Sequence, residues 1–148
     1  MCVYHPRMAD DPFDLQRFLD AQRADYDRAL AELRNGQKTT HWMWYVLPQL
    51  RGLGRSEMAR RYGIASLDEA RAYLAHEVLG PRLIACVQAM NALPGSDAAR
   101  VLGGIDAAKF RSCLTLFLAA DPANTALRDA LGKYYGGVAD QRTLALLK

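Results

Sequence analysis

The sequence is poor in the residues that build covalent and metal frameworks. It has three cysteines, Cys2, Cys86 and Cys113, and three histidines, His5, His41 and His76. The cysteine number is odd, the spacings are wide and no CxxC occurs, so neither a structural metal nor a disulfide scaffold is expected. No cofactor motif is present. No run approaches the roughly 18 apolar residues of a membrane span, and the opening MCVYHPRMADD lacks the apolar stretch of a secretory signal. Charge of one sign is scarce too: 19 basic against 16 acidic side chains leave +3, which calls for neither nucleic acid nor a membrane surface. A cytoplasmic protein is expected, with Cys86 and Cys113 as small apolar core residues.

What remains is ordinary globular material. The chain of 148 residues is 51% hydrophobic and 24% charged, the size and composition of one domain that buries about 70% of its extended surface. Residues 1–9 are expected to be poorly ordered and 10–148 to form one domain, with Met8 a second candidate start.

Nearly every segment reads helical. Asp11, Pro12 and Asp14 supply a cap, a proline at N1 and an acid in the first turn. Leu15, Phe18, Leu19, Tyr26, Ala29, Leu30 and Leu33 then make one stripe, closed by Asn35-Gly36. Ser56 caps a short helix, and Ser66 to Glu69 is a capping box for a helix running to about His76. Gly80-Pro81 opens another that stops before Pro94. Ser96 and Asp97 begin a short one, Asp106 caps a stronger one, and Asp121-Pro122 repeats the first opening. A final turn covers Gln141 to Leu147. Trp42–Leu47, rich in aromatic and branched residues, is the one candidate strand. The expected fold is therefore mainly α, a single compact domain of seven or eight uneven helices with one short extended segment near 42–47.

Residues 37–56, QKTTHWMWYVLPQLRGLGRS, do not look like scaffold. Both tryptophans lie here. From Leu33 to Ser56 there is no acid, while Arg34, Lys38, Arg51 and Arg55 give +4, so the rest of the chain sums to −1. If extended, Trp42 and Trp44 share one face and His41, Met43 and Tyr45 the other. Gly52 and Gly54 lead into Arg55, Ser56 and a helix start, an arrangement that attracts anions. The aromatic rings could stack a flat ring, and the plain alternative is that they are core. GLGRS is neither a Walker nor a dinucleotide motif. Downstream, the helix with Lys109, Arg111, Ser112, Cys113 and Thr115 either turns a polar face to solvent or brings Lys109 or Arg111 to the tryptophans.

The runs DPFDLQRFLDAQ, YDRALAELRNGQKTTHWMWYVLPQLRGLGRS, YGIASLDEARAYLAHEVLGPRL, KFRSCLTLF and KYYGG closely resemble a bacterial family of uncharacterised, mainly α-helical proteins. Some members are labelled calpastatin, which we read as a misannotation. A more distant resemblance is to NADAR-type domains, on Thr40-His41-Trp42 and Lys109-Phe110, with Thr40 where that pattern has glutamate. It implies NAD or ADP-ribose chemistry, including N-glycosidic bond hydrolysis.

These observations give a working site of Lys38, His41, Trp42, Trp44, Arg55, Ser56, Lys109 and Arg111. It would take a small anionic ligand such as a nucleotide or ADP-ribose, with His41 and Lys109 the candidate catalytic groups. The alternative is a helical protein-interaction module without activity. Nucleic acid is not expected, because +4 is small against the contacts that duplex binders make.

Overall fold

Helix signals in the sequence become nine helices among the described residues, 11–148 of a computed structural model. They are α1 Gln16–Asn35, α2 Met43–Val46, α3 Glu57–Tyr62, α4 Leu67–Ala75, α5 Leu79–Ala92, α6 Ala98–Leu102, α7 Gly104–Ala120, α8 Thr125–Tyr135 and α9 Gln141–Leu146. The expectation for residues 1–9 lies outside the described residues.

Capping explains most boundaries. Ser56, Ser66 and Asp97 accept the backbone N–H of Ala59, Glu69 and Arg100, as their positions predict. Gly36 and Gly136 close α1 and α8 in the left-handed conformation, which costs glycine little. Three caps differ from expectation. Asp11 makes a separate turn and then accepts from Leu15 and Gln16 N–H at 2.7 and 3.0 Å, so α1 begins a turn later than predicted. Asn124, not Asp121, caps α8. Asp106 lies inside the first turn of α7, after an uncapped start at Gly103-Gly104.

The candidate strand at 42–47 is instead the helical turn α2. The Trp42 carbonyl accepts the N–H groups of Tyr45 and Val46. A helical turn buries Trp42, Met43, Tyr45 and Val46 together, whereas alternation would have put half of them in water. Among the described residues the sole β pairing is an isolated parallel bridge, Leu50 with Ile64. It fixes the loop after α2 against the end of α3. Gly63 is needed there, since a Cβ would lie 2.7 Å from the Arg51 Cα.

The core centres on α7, which contacts α4, α6, α8 and α9. Ser112 to Phe117 are all buried, so the middle of α7 is surrounded rather than amphipathic. Its buried hydroxyls are satisfied: Ser112 donates to the Ala108 carbonyl and Thr115 to that of Arg111. Tyr73 of α4 links α1 to α7, with ring centroids 5.1 Å from Phe18 and 5.3 Å from Phe117. Cys86 and Cys113 are free and buried in this core, as expected. Burial pushes the Cys86 thiol up to about 12 and the Cys113 thiol higher still.

Candidate functional site

The segment between α1 and α2 is shaped by one carboxylate. Glu32, 8% exposed, accepts the N–H groups of Thr39 and Thr40 and the indole N–H of Trp42 on one oxygen, at 2.9, 3.1 and 2.9 Å. Its other oxygen accepts the Thr40 hydroxyl at 2.5 Å. Burial alone would raise its pKa. The bonds from Thr40, Trp42 and Thr39 outweigh burial and bring it down to about 2, so the group is an anion at neutral pH.

This clamp delivers Lys38 to α7. The Lys38 ammonium meets Asp106 at 2.9 Å and the Thr40 carbonyl at 2.7 Å, and sits 5.0 Å from the centre of the Trp42 ring. Asp106 also faces Lys109 at 3.9 Å, and the Lys109 ammonium lies 5.5 Å from the Trp44 ring centroid. The result is an alternation of lysines, tryptophans and one carboxylate, drawn from parts of the chain 68 residues apart.

Four of the predicted residues therefore come together: Lys38, Trp42, Trp44 and Lys109. Two of those four are occupied structurally, because Lys38 is neutralised by Asp106 and Trp42 is 1% exposed. The other four predicted residues are not part of this alternation. His41 is exposed, with its carbonyl accepting from Tyr45. Arg55 is exposed and its carbonyl accepts from Arg60. Ser56 is spent capping α3. Arg111 turns the other way, donating to the Val138 carbonyl at 2.8 Å and lying over Tyr135. The acid-free window is thus no continuous basic face, since folding supplies it with Glu32 and Asp106.

Lys109 also lines two hollows. An open cleft of about 490 Å³ lies between the Gln49–Gly54 loop, the first half of α7 and the start of α9, lined by Gln49, Leu53, Ile105, Lys109, Ser112 and Arg142 among others. Its one lining carboxylate, Asp140, caps α9 through the Thr143 N–H and hydroxyl. Behind it is a void of about 10 Å³ against Trp44 and Tyr62. A larger hollow of about 830 Å³ lies beside Asp11 and α4 and is lined by none of the predicted residues. Among the described residues no group of three His, Cys, Asp or Glu side chains is placed to hold a metal ion.

Sequence reasoning missed Glu32, Asp106, Gln49 and Arg142. Asp106 had a local signal, three residues before Lys109, but was read as a cap. The Lys38–Asp106 pairing had none.

A family model described as protein of unknown function (DUF1810) matches residues 12–147. The chain belongs to this family. The DUF1810 match spans all nine helices and includes the clamp, the lysine pair and the cleft. In this respect the resemblance to an uncharacterised, mainly helical family holds. Among solved structures, the conserved hypothetical protein Rv1873 from Mycobacterium tuberculosis is similar, with 52% identity, a TM-score of 0.91, and coverage of 93% of this chain and 98% of that one. No curated protein matches. Among the described residues of this DUF1810 chain, no helix is long and apolar enough to cross a membrane.

Proposed function

We propose that the protein binds a small anionic ligand of the nucleotide or ADP-ribose kind in the cleft between the Gln49–Gly54 loop, α7 and α9. The observation that carries this reading is the cleft's charge. Lys109 and Arg142 face a hollow of about 490 Å³ whose one carboxylate is committed as a helix cap. That volume suits a small ligand. The start of α7 adds to the attraction: it has no side-chain cap, and nothing lies within 4 Å of where Gly103 or Gly104 would carry a Cβ. The free thiols of Cys86 and Cys113 suit a reducing cytoplasm.

The geometry supports binding over hydrolysis of an N-glycosidic bond. General acid–base work needs an available proton carrier in the cleft. Asp140 is engaged with Thr143, Asp106 with Lys38, and His41 is not among the residues lining the cleft, so Lys109 is the one candidate catalytic group at the cleft and has no free carboxylate or imidazole there to work with. Calorimetry with ADP-ribose, NAD and common nucleotides tests the reading. At least one ligand gives saturable heat below millimolar concentration, and Arg142→Ala weakens it about tenfold. Silence from every ligand at millimolar concentration, with the fold intact, overturns it.

One observation favours the second reading, a helical protein-interaction module: Ile105, on the cleft rim, is 78% exposed and Leu146 is 53% exposed. That reading gains if the calorimetry is silent.

A further inference from the structure

The cleft and the inner void share a wall. Lys109 and Gln49 are the two residues that line both. The void behind them is about 10 Å³, room for a water at most. Its other side is a ring-and-aliphatic surface that includes Trp44, Tyr62 and Leu47. Such a surface, one side chain away from a cationic cleft, is chemically unlike its neighbour, and only the shared wall keeps the two apart.

The side chains of that wall are loosely held, whereas its backbone is fixed. The Lys109 ammonium is 3.9 Å from Asp106, whose other oxygen is taken by Lys38 at 2.9 Å. It also lies 5.5 Å from the centre of the Trp44 ring. Gln49 makes no side-chain hydrogen bond among the described residues. Its carbonyl, by contrast, accepts the Ile64 N–H at 2.9 Å, and Lys109 stands within the 17-residue helix α7. The side chains are thus the part of the wall with the fewest fixed partners.

We propose that Lys109 and Gln49 form a movable partition, and that the space behind it is a subsite for a planar ring. An anionic group entering the cleft draws the Lys109 ammonium outward, and the ring to which it is joined takes the vacated place against Trp44. The trigger rests on the anion-binding reading of the cleft, while the ring subsite stands or falls separately. The ligand class that follows is a flat, uncharged ring joined to an anion, which uses both compartments at once.

Three probes separate the parts: pyrophosphate carries the charge alone, adenosine the ring alone, and AMP both. Each is titrated by calorimetry into the full-length protein and into Lys109→Ala, Gln49→Ala and Lys109→Ala/Trp44→Ala, with thermal unfolding as the check on folding. Wild type binds AMP more tightly than either partial probe. Lys109→Ala loses pyrophosphate but gains about tenfold for adenosine, because the opening cost is removed. Gln49→Ala, which thins the wall and keeps the ammonium, shifts adenosine in the same direction. Adding Trp44→Ala abolishes the gain. If AMP and pyrophosphate bind alike and no wall variant gains adenosine, the partition is wrong and the anionic cleft stands. A gain for adenosine with no response to pyrophosphate or AMP leaves the ring subsite standing and removes the anion reading. Silence from all three probes in every variant overturns both.

Discussion

Glu32 shows how much one side chain organises. Four donors from three residues, Thr39, Thr40 and Trp42, converge on it, and they bring its pKa from an ordinary value near 4.5 to about 2. A carboxyl depressed in the folded state stabilises the protein above its unfolded pKa and loses that contribution as pH falls through the folded one. For Glu32 the window runs from about pH 5 down to 2, and the contribution is about 3 kcal/mol in full. Glu32→Gln keeps the shape, removes the charge and turns an amide N–H₂ toward the donors. Urea unfolding at a series of pH values measures the result. Wild type exceeds the variant by about 3 kcal/mol at pH 7, and the gap closes as pH falls toward 2. A gap that stays constant with pH would show that packing, not the anion, holds the segment.

At the scale of helices, glycine has two opposite meanings in this fold. Gly80 reads in the sequence as part of a helix opening with Pro81, and it is the second residue of α5. A Cβ there would stand 2.1 Å from the Leu74 carbonyl oxygen of α4. The close approach of α4 and α5 therefore depends on a missing side chain. Gly132 lies inside α8 with nothing within 4 Å of its Cβ position, so it contributes only backbone freedom. Gly80→Ala is expected to cost about 3 kcal/mol or more, and Gly132→Ala to stabilise by up to about 1 kcal/mol. Thermal and chemical unfolding of the pair report opposite shifts. A neutral Gly80→Ala would mean that α4 and α5 can part without penalty.

Across the whole molecule, what is legible in the sequence is what is local. Ser56, Ser66 and Asp97 announce their helices because a cap bonds a backbone group three residues away. The turn at 42–47 misleads because burial on all sides gives an apolar run with no period, in which strand and helix look alike. The site is legible only in part for a related reason. Trp44 and Lys109 stand out by composition, but their meeting is a product of the fold. Counting charge along the chain overestimated the field of this region, because Asp106 reaches it from 68 residues away.

That long-range pair is itself testable. Lys38 has a side chain 7% exposed and Asp106 one 19% exposed, joined at 2.9 Å, and the neighbouring Lys38 N–H donates to the Val101 carbonyl at 2.8 Å. The pair pins the loop after α1 to the start of α7. Removing one partner strands the other charge with little water, which costs about 3 kcal/mol, whereas replacing both with apolar groups of similar size avoids that penalty. Asp106→Leu is therefore strongly destabilising alone, and Lys38→Met in the same chain restores most of the loss. A double-mutant cycle by urea unfolding measures the coupling between them. Additive costs would mean that the lysine finds water or another partner, and that the acid-free window keeps more of its positive field than the ion pair implies.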